Sequence, residues 1–121
     1  CDIYPARRKP ATGTDDGHAL AEWLLDLRKP AALLAAMDTR AYQVLELCEA
    51  IGVRVPQDVS VVGMDGTRMG QYYHPALTTI AQDRELIVAE AIDMTLRMIE
   101  NQEEPGRRVI LPTRLIVRES A

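Results

Sequence analysis

The stretch AALLAAMDTRAYQVLELCEAIGVRVPQDVSVVGMDG, residues 31–66, decides the fold of this 121-residue chain. It opens with an unbroken apolar run from Ala31 to Ala36, which suits a strand covered on both faces. A segment with apolar residues at helical spacing follows, capped by Asp38 or the residue after it and stopped at Gly52. A second apolar, β-branched run, Val59 to Val62, indicates another buried strand. Strand, helix and strand in this order predict a parallel β-α-β unit.

The same alternation continues on both sides of this unit. A helix is predicted from the acidic pair Asp15 and Asp16 to about Leu27, with one apolar stripe. Downstream, a third strand at Leu77 to Ile80 precedes a long helix from about Arg84 to Glu100. Two short strands are predicted in the tail, at Arg108 to Leu111 and Leu115 to Val117. The pattern predicts an α/β fold, a parallel-sheet lobe with helices on both faces.

Composition limits the kind of protein that the chain can represent. With 47% hydrophobic residues it can fill one core, so we expect residues 15–121 to form one lobe or domain. Residues 1–14, rich in Pro, Gly and Thr, are expected to be a linker or loop stub in a fragment of a longer protein. The formal net charge of −4 and the mixing of acids with bases argue against a nucleic-acid surface.

Location is inferred from what the sequence lacks. No run is long and apolar enough for a membrane span or the core of a signal peptide, so no membrane contact is expected. Cys1 and Cys48 show no spacing typical of a disulfide scaffold or a zinc site. These features favour a reducing cytoplasm.

Motifs for catalysis and cofactor binding are also missing from the sequence. It contains no GxSxG elbow and no GxGxxG or GxxxxGK[ST] phosphate loop. Asp15, Asp16 and His18 lie together, but acids at a helix start complement the helix dipole, which is a better account than a metal site. We therefore expect a protein that is not an enzyme and that holds no cofactor or metal.

Three polar residues are candidates for binding a ligand. Asp38, Asp65 and Gln82 each follow one of three consecutive predicted strands, and ligands of open α/β sheets bind beyond the carboxyl ends of the strands. A carboxylate accepts hydrogen bonds from hydroxyls, and an amide both accepts and donates, so the three suit a neutral polyol. Alternatives remain open. Asp38 can be a helix cap, Asp65 before Gly66 an ordinary turn residue, and Gln82 a cap of the long helix.

Several motifs occur in an order typical of one known family. They are a strand ending in Asp, then RVPQDVSVVG (residues 54–63), GMDG (63–66), PALTTIAQ (75–82) and LPTRLIVRES (111–120). From about Pro30 to Ser120 the chain resembles the C-terminal lobe of effector domains of the lactose-repressor (LacI/GalR) family. Residues 19–30 and 37–49 are most similar to xylose-responsive activators of that family, in which the sensor is fused to an AraC-type DNA-binding domain.

The resemblance implies a two-lobed, periplasmic-binding-protein-like (type I) fold that closes on a sugar effector, with D-xylose the expected candidate. Closure would be relayed to a DNA-binding domain outside this chain. Asp65 matches the carboxylate that binds ligand hydroxyls in the family, Asp38 the acid after the preceding strand, and Gln82 a sugar contact of related ribose-binding proteins. Met37 departs from the family, which usually has Asn there. The alternative function is a lobe of an exported sugar-binding protein of a transport system.

The resemblance also implies a homodimer. Family members usually dimerise through the helix after the first of these strands and through the loop before PALTT. In this chain the implied interface includes Ala41, Val44, Leu45, Tyr72 and Tyr73. Exposed aromatic residues suit an interface, although packing of these side chains within the lobe is the alternative.

Overall fold

The computed structural model describes residues 15–100 and 106–121 as alternating helices and strands. The predicted linker at residues 1–14 lies outside the described residues. Along the chain the elements are α1 (Asp15–Asp26), β1 (Ala31–Leu34), α2 (Asp38–Ile51), β2 (Val59–Asp65), a 3-10 turn (Arg68–Tyr72), β3 (Thr78–Gln82), α3 (Arg84–Ile99) and β4 (Thr113–Ile116). The helices begin and end close to the predicted positions, whereas β2 continues past Val62 to Asp65.

The four strands form one sheet in the order β1-β2-β3-β4. β1, β2 and β3 run parallel, with Leu34 beside Val62 and Val62 beside Thr78. β4 is antiparallel to β3, with Leu115 opposite Ile80. The predicted α/β fold with a mostly parallel sheet is confirmed. Because parallel strands end at a shared edge, the loops that follow β1, β2 and β3 meet there.

One face of the sheet is covered by α2, and α1 packs on α2. α2 ends at the predicted Gly52, whose φ of 73° is left-handed and therefore suits glycine. The buried cluster consists of Leu24, Ala35, Ala41, Tyr42, Val44, Leu45, Cys48, Val53, Val59, Val61 and Leu77. Each larger aliphatic side chain buried there contributes roughly 1.5–3 kcal/mol. Cys48 lies in this core with its thiol free.

The opposite face of the sheet differs from the expectation for β1. Ala31 and Leu33 pack against the core, but Ala32 and Leu34 alternate with them and are exposed, Leu34 to 64%. β1 was predicted to be covered on both faces. Within the described residues only one face is covered, since α1 and α2 lie on the same side. α3 buries none of its residues. No helix in the described ranges combines the length and apolarity that crossing a bilayer requires.

The tail contains one strand where two were predicted. β4 spans Thr113–Ile116, and residues 107–112 before it are not assigned to a strand. Beyond β4 the chain is fixed by Ser120, which is fully buried. Its carbonyl accepts the Val61 N–H at 2.7 Å, and its hydroxyl donates to the Val61 carbonyl at 2.6 Å while accepting the Thr78 N–H at 2.9 Å. The tail thereby joins the starts of β2 and β3.

Candidate functional site

The three candidate polar residues lie at one edge of the sheet. Asp38 begins α2 shortly after β1, Asp65 ends β2 and Gln82 ends β3. The Asp38 N–H donates to Asp65 Oδ2 at 3.3 Å, so the structure brings these two residues into contact. Gln82 lies one residue beyond Ala81, which is the partner of Asp65 in the β2–β3 register, and its side chain is exposed.

Asp38 is fully buried, and protein donors surround its carboxylate. Oδ2 accepts the Thr67 N–H at 2.7 Å and the Thr67 hydroxyl at 2.9 Å, and Oδ1 accepts the Thr79 hydroxyl at 2.6 Å. Met37, not Asp38, occupies the N-cap position of α2. The Met37 side chain makes no capping hydrogen bond. In this arrangement Asp38 has no exposed oxygen, so its predicted contact with a ligand stays a prediction that these contacts do not support.

Asp65, Gly66 and Thr67 form a turn, called here the 65–67 turn, with an unusual backbone. Asp65 has a φ of 133°, and Gly66 has a φ of 70°. A residue with a side chain rarely adopts such a φ, and the strain costs on the order of 1–3 kcal/mol. Gly66 is further restricted because a Cβ there would lie 2.5 Å from the Ala81 Cβ. Only glycine therefore fits after Asp65 without displacing β3.

The Asp65 carboxylate is partly exposed and only partly occupied. Its Oδ2 accepts the Asp38 N–H, and within the described ranges its Oδ1 accepts no hydrogen bond. The Arg84 guanidinium lies 3.5 Å from the main-chain oxygen of Asp65, not from its carboxylate. The side chain can therefore accept hydrogen bonds from a molecule at the sheet edge.

Gln82 is not the cap of α3. Asp83 is the cap, and its Oδ1 accepts the Leu86 N–H at 3.0 Å. Gln82 therefore remains a residue of the sheet edge, with an exposed amide that can both donate and accept.

Two tyrosines link the 65–67 turn to the outer surface of α2. The rings of Tyr42 and Tyr73 are stacked, with centroids 4.3 Å apart and planes 9° from parallel. The Tyr42 hydroxyl hydrogen-bonds Thr67 Oγ1, and the Tyr73 hydroxyl donates to Glu46 Oε1 at 3.0 Å. That hydrogen bond to the Glu46 carboxylate raises the pKa of Tyr73 above its ordinary value. Tyr73 thus packs within the lobe.

The dimer interface stays a prediction, and its α2 residues are buried within this lobe. Ala41, Val44 and Leu45 are 0%, 5% and 4% exposed, because they lie on the side of the helix that faces the core. The exposed side of α2 is polar instead and carries Arg40, Gln43, Glu46 and Glu49. Tyr72, by contrast, is 71% exposed and remains available for a surface contact.

Thr67 and Thr79 are the residues of this edge that sequence reasoning missed. In a strand, threonine is typical because it is β-branched, so the TT pair in PALTTIAQ carries no signal of its own. A buried carboxylate requires donors, but the sequence does not show that Asp38 is buried, and both threonines lie far from it along the chain. Metal binding finds no support in the described ranges, where no group of three or more His, Cys, Asp or Glu side chains converges.

In α/β proteins, a mostly parallel sheet whose polar loops meet at one edge is typical of a ligand-binding lobe. Residues 2–121 match the periplasmic binding protein-like domain family. The chain belongs to this family.

Among curated relatives, the chain is 37% identical over 103 residues to the HTH-type transcriptional repressor PurR of Salmonella paratyphi B. The alignment covers 85% of this chain and 30% of that repressor, so the chain spans about a third of the length of the curated relatives it matches.

Solved structures show the same similarity. The xylose-binding transcription activator xylR has a TM-score of 0.77 at 30% identity, with 86% of this chain and 28% of that chain covered. A LacI family transcriptional regulator from Arthrobacter sp. FB24, in complex with lactose, has a TM-score of 0.76 at 33% identity over 86% and 39% of the two chains. The lac repressor dimer bound to operator has a TM-score of 0.74 at 33% identity over 86% and 36%.

Proposed function

We propose that residues 15–121 form the C-terminal lobe of the effector-binding domain of a transcription regulator, with residues 1–14 as a linker. In this proposal Asp65 and Gln82 bind a small polar effector at the sheet edge. The observation that carries it is the Asp65 carboxylate, partly exposed, with Oδ1 unbonded in the described ranges and its backbone strained. Strained backbone conformations cluster at functional sites, and a carboxylate is a strong acceptor for hydroxyl donors.

The effector is proposed to be a neutral sugar, with D-xylose as the first candidate. The chemistry of a carboxylate beside an amide supports a polyol, because both groups pair with hydroxyls. Similarity to a xylose-binding activator and to a regulator in complex with lactose supports the same class. Met37, 46% exposed at this edge, adds an apolar side chain that can cover the non-polar face of a sugar ring.

DNA binding is proposed to lie in a domain outside this chain, of the AraC type if the similarity to xylose-responsive activators extends to the rest of the protein. The formal net charge of −4 supports this, because phosphate contacts require clustered Lys and Arg. We also propose that the regulator acts in the cytoplasm as a homodimer. Tyr72 is the exposed residue on which a test of the interface should concentrate.

The site is tested by calorimetric titration of the natural full-length protein with D-xylose, D-ribose and lactose. Asp65→Ala should weaken binding of the effector about tenfold or more, because sugar hydroxyls lose an acceptor inside a closed cleft. Asp93→Asn on α3 is the matched control, since it removes a carboxylate that pairs with Arg97 and lies outside the 65–67 turn. Unchanged affinity in Asp65→Ala would remove Asp65 from the site, and no binding of any of the three sugars would reject this sugar class.

A further inference from the structure

We infer that Asp38 is a positioning residue, which makes no contact with the effector and fixes the 65–67 turn in the shape that presents the Asp65 carboxylate. The inference rests on the proposed function, since it assigns Asp38 to the support of that same site. It differs from the expectation drawn from the sequence, in which Asp38 binds the effector itself.

The turn cannot owe its shape to the preferences of its own residues. Asp65 has a φ of 133°, in a region that residues with side chains rarely adopt, and Gly66 follows at 70°. Such a conformation persists only where the surrounding structure over-determines it. Contacts from outside the turn must therefore fix it.

Those contacts converge on the Asp38 carboxylate. Oδ2 accepts both the N–H and the hydroxyl of Thr67, and Oδ1 accepts the Thr79 hydroxyl. The same Thr79 hydroxyl oxygen accepts the Gly66 N–H at 3.2 Å. Both amides that follow Asp65 are thus bound, one by Asp38 directly and one through Thr79. The Asp38 N–H completes the arrangement by donating to Asp65 Oδ2.

The sheet leaves the space that this carboxylate needs. A Cβ on Gly63 would lie 2.3 Å from Asp38 Oδ1, so only glycine at this position of β2 permits the contact. Asp38 is fully buried, and water has no access to replace its donors. The carboxylate is therefore a fixed acceptor for the turn before any ligand arrives.

Two adjacent threonines provide a matched test. Thr79 and Thr78 are both buried in β3, at 0% and 2% exposure, and both hydroxyls are hydrogen-bonded. The Thr79 hydroxyl bonds Asp38 and Gly66, whereas Thr78 Oγ1 accepts the Arg118 N–H at 2.9 Å in the tail. Thr79→Val and Thr78→Val therefore remove the same group from the same strand, and only the first touches the Asp38 network. Thr79→Ser keeps the hydroxyl and serves as the rescue.

The experiment uses the natural full-length protein and has two readouts. The first is amide hydrogen exchange at Thr67 without any sugar, which reports the local opening of the turn. Thr79→Val should speed this exchange about tenfold or more, while Thr79→Ser and Thr78→Val leave it close to the parent rate. The second is calorimetric titration with D-xylose, whose affinity should fall about tenfold in Thr79→Val alone.

The two proposals fail in different ways. Equal Thr67 exchange rates in Thr79→Val and Thr78→Val would overturn the positioning role, whatever the sugar does. A Thr79→Val protein with fast exchange and parent affinity would overturn it as well, because the shape of the turn would then not matter for binding. Absence of D-xylose binding by the parent protein refutes the sugar assignment only, and the exchange rates still decide the role of Asp38.

Discussion

α2 and α3 have similar apolar patterns and opposite degrees of burial. α2, with 14 residues, buries Ala41, Val44, Leu45 and other residues against the sheet. α3, with 16 residues, buries none, and its Ile92 and Leu96 are 55% and 53% exposed. The comparison shows that apolar spacing predicts where a helix forms and which face is apolar. It does not predict whether a packing partner lies within the same lobe.

The largest effect expected from this comparison is on stability, in a pair of leucine truncations. Leu45→Ala in α2 removes a side chain that is 4% exposed and should cost about 2–5 kcal/mol in the free energy of unfolding. Leu96→Ala in α3 should cost less than about 1 kcal/mol, because its side chain is already largely in water. Urea unfolding of both variants measures the difference, and equal losses would show that α3 is docked in solution.

The second prediction concerns how closely α2 approaches β2. A Cβ on Gly63 would meet Asp38 and Ala41 of α2, so Gly63→Ala should destabilise the chain by about 1–3 kcal/mol. Gly17 of α1 is the control, since a Cβ there meets nothing within 4 Å. Gly17→Ala should be neutral or stabilise by up to about 1 kcal/mol, because alanine favours helix. Thermal melts of the two variants would contradict the prediction if both shifted in the same direction.

The third prediction uses thiol reactivity to compare the two helices. Cys48 of α2 is 1% exposed, and burial raises the pKa of its thiol, so it should react slowly with a disulfide reagent. A Thr95→Cys thiol on the exposed side of α3 should react at least about tenfold faster. Both rates are measured with Cys1 replaced by serine, and the α3 variant also carries Cys48→Ser. Similar rates would mean that the Cys48 thiol is as accessible as an exposed thiol on α3.

The smallest expected effect is an acid dependence in the segment between α2 and β2. Hydrogen bonds from Arg54 lower the pKa of Asp58 to about 2. Because this value lies below that of the unfolded chain, the pair stabilises the fold above about pH 4, and the contribution is lost as the pH falls towards 2. Asp58→Asn should flatten the change of unfolding free energy over this window. A parent and a variant with parallel pH profiles would contradict the assignment.

Much of the fold could be predicted because its signals are local. The end of α2 follows from Gly52, and the parallel order follows from the alternation of strands and helices. The end of β2 was less predictable, since the GMDG stretch has the composition of a turn while its first three residues pair with β3. The first of the two short strands predicted in the tail was wrong, because β-branched residues at Arg108 to Leu111 alone do not supply a pairing partner.

The position of the candidate site could be predicted, but not which of its two carboxylates is buried and which is exposed. The rule that ligands bind beyond the strand ends placed Asp38 and Asp65 together, and their contact agrees with it. Whether a carboxylate faces water or is buried depends on contacts with residues distant in sequence. Thr79 lies 41 positions from Asp38, so no local pattern could reveal that bond.

The binding of Ser120 to Val61 and Thr78 also has a mechanical consequence. A tension applied at Ala121 would not peel β4 from the edge of the sheet first. It would load the central strand β2 through the two hydrogen bonds between Ser120 and Val61. The chain would therefore resist pulling from this side at the interior of the sheet.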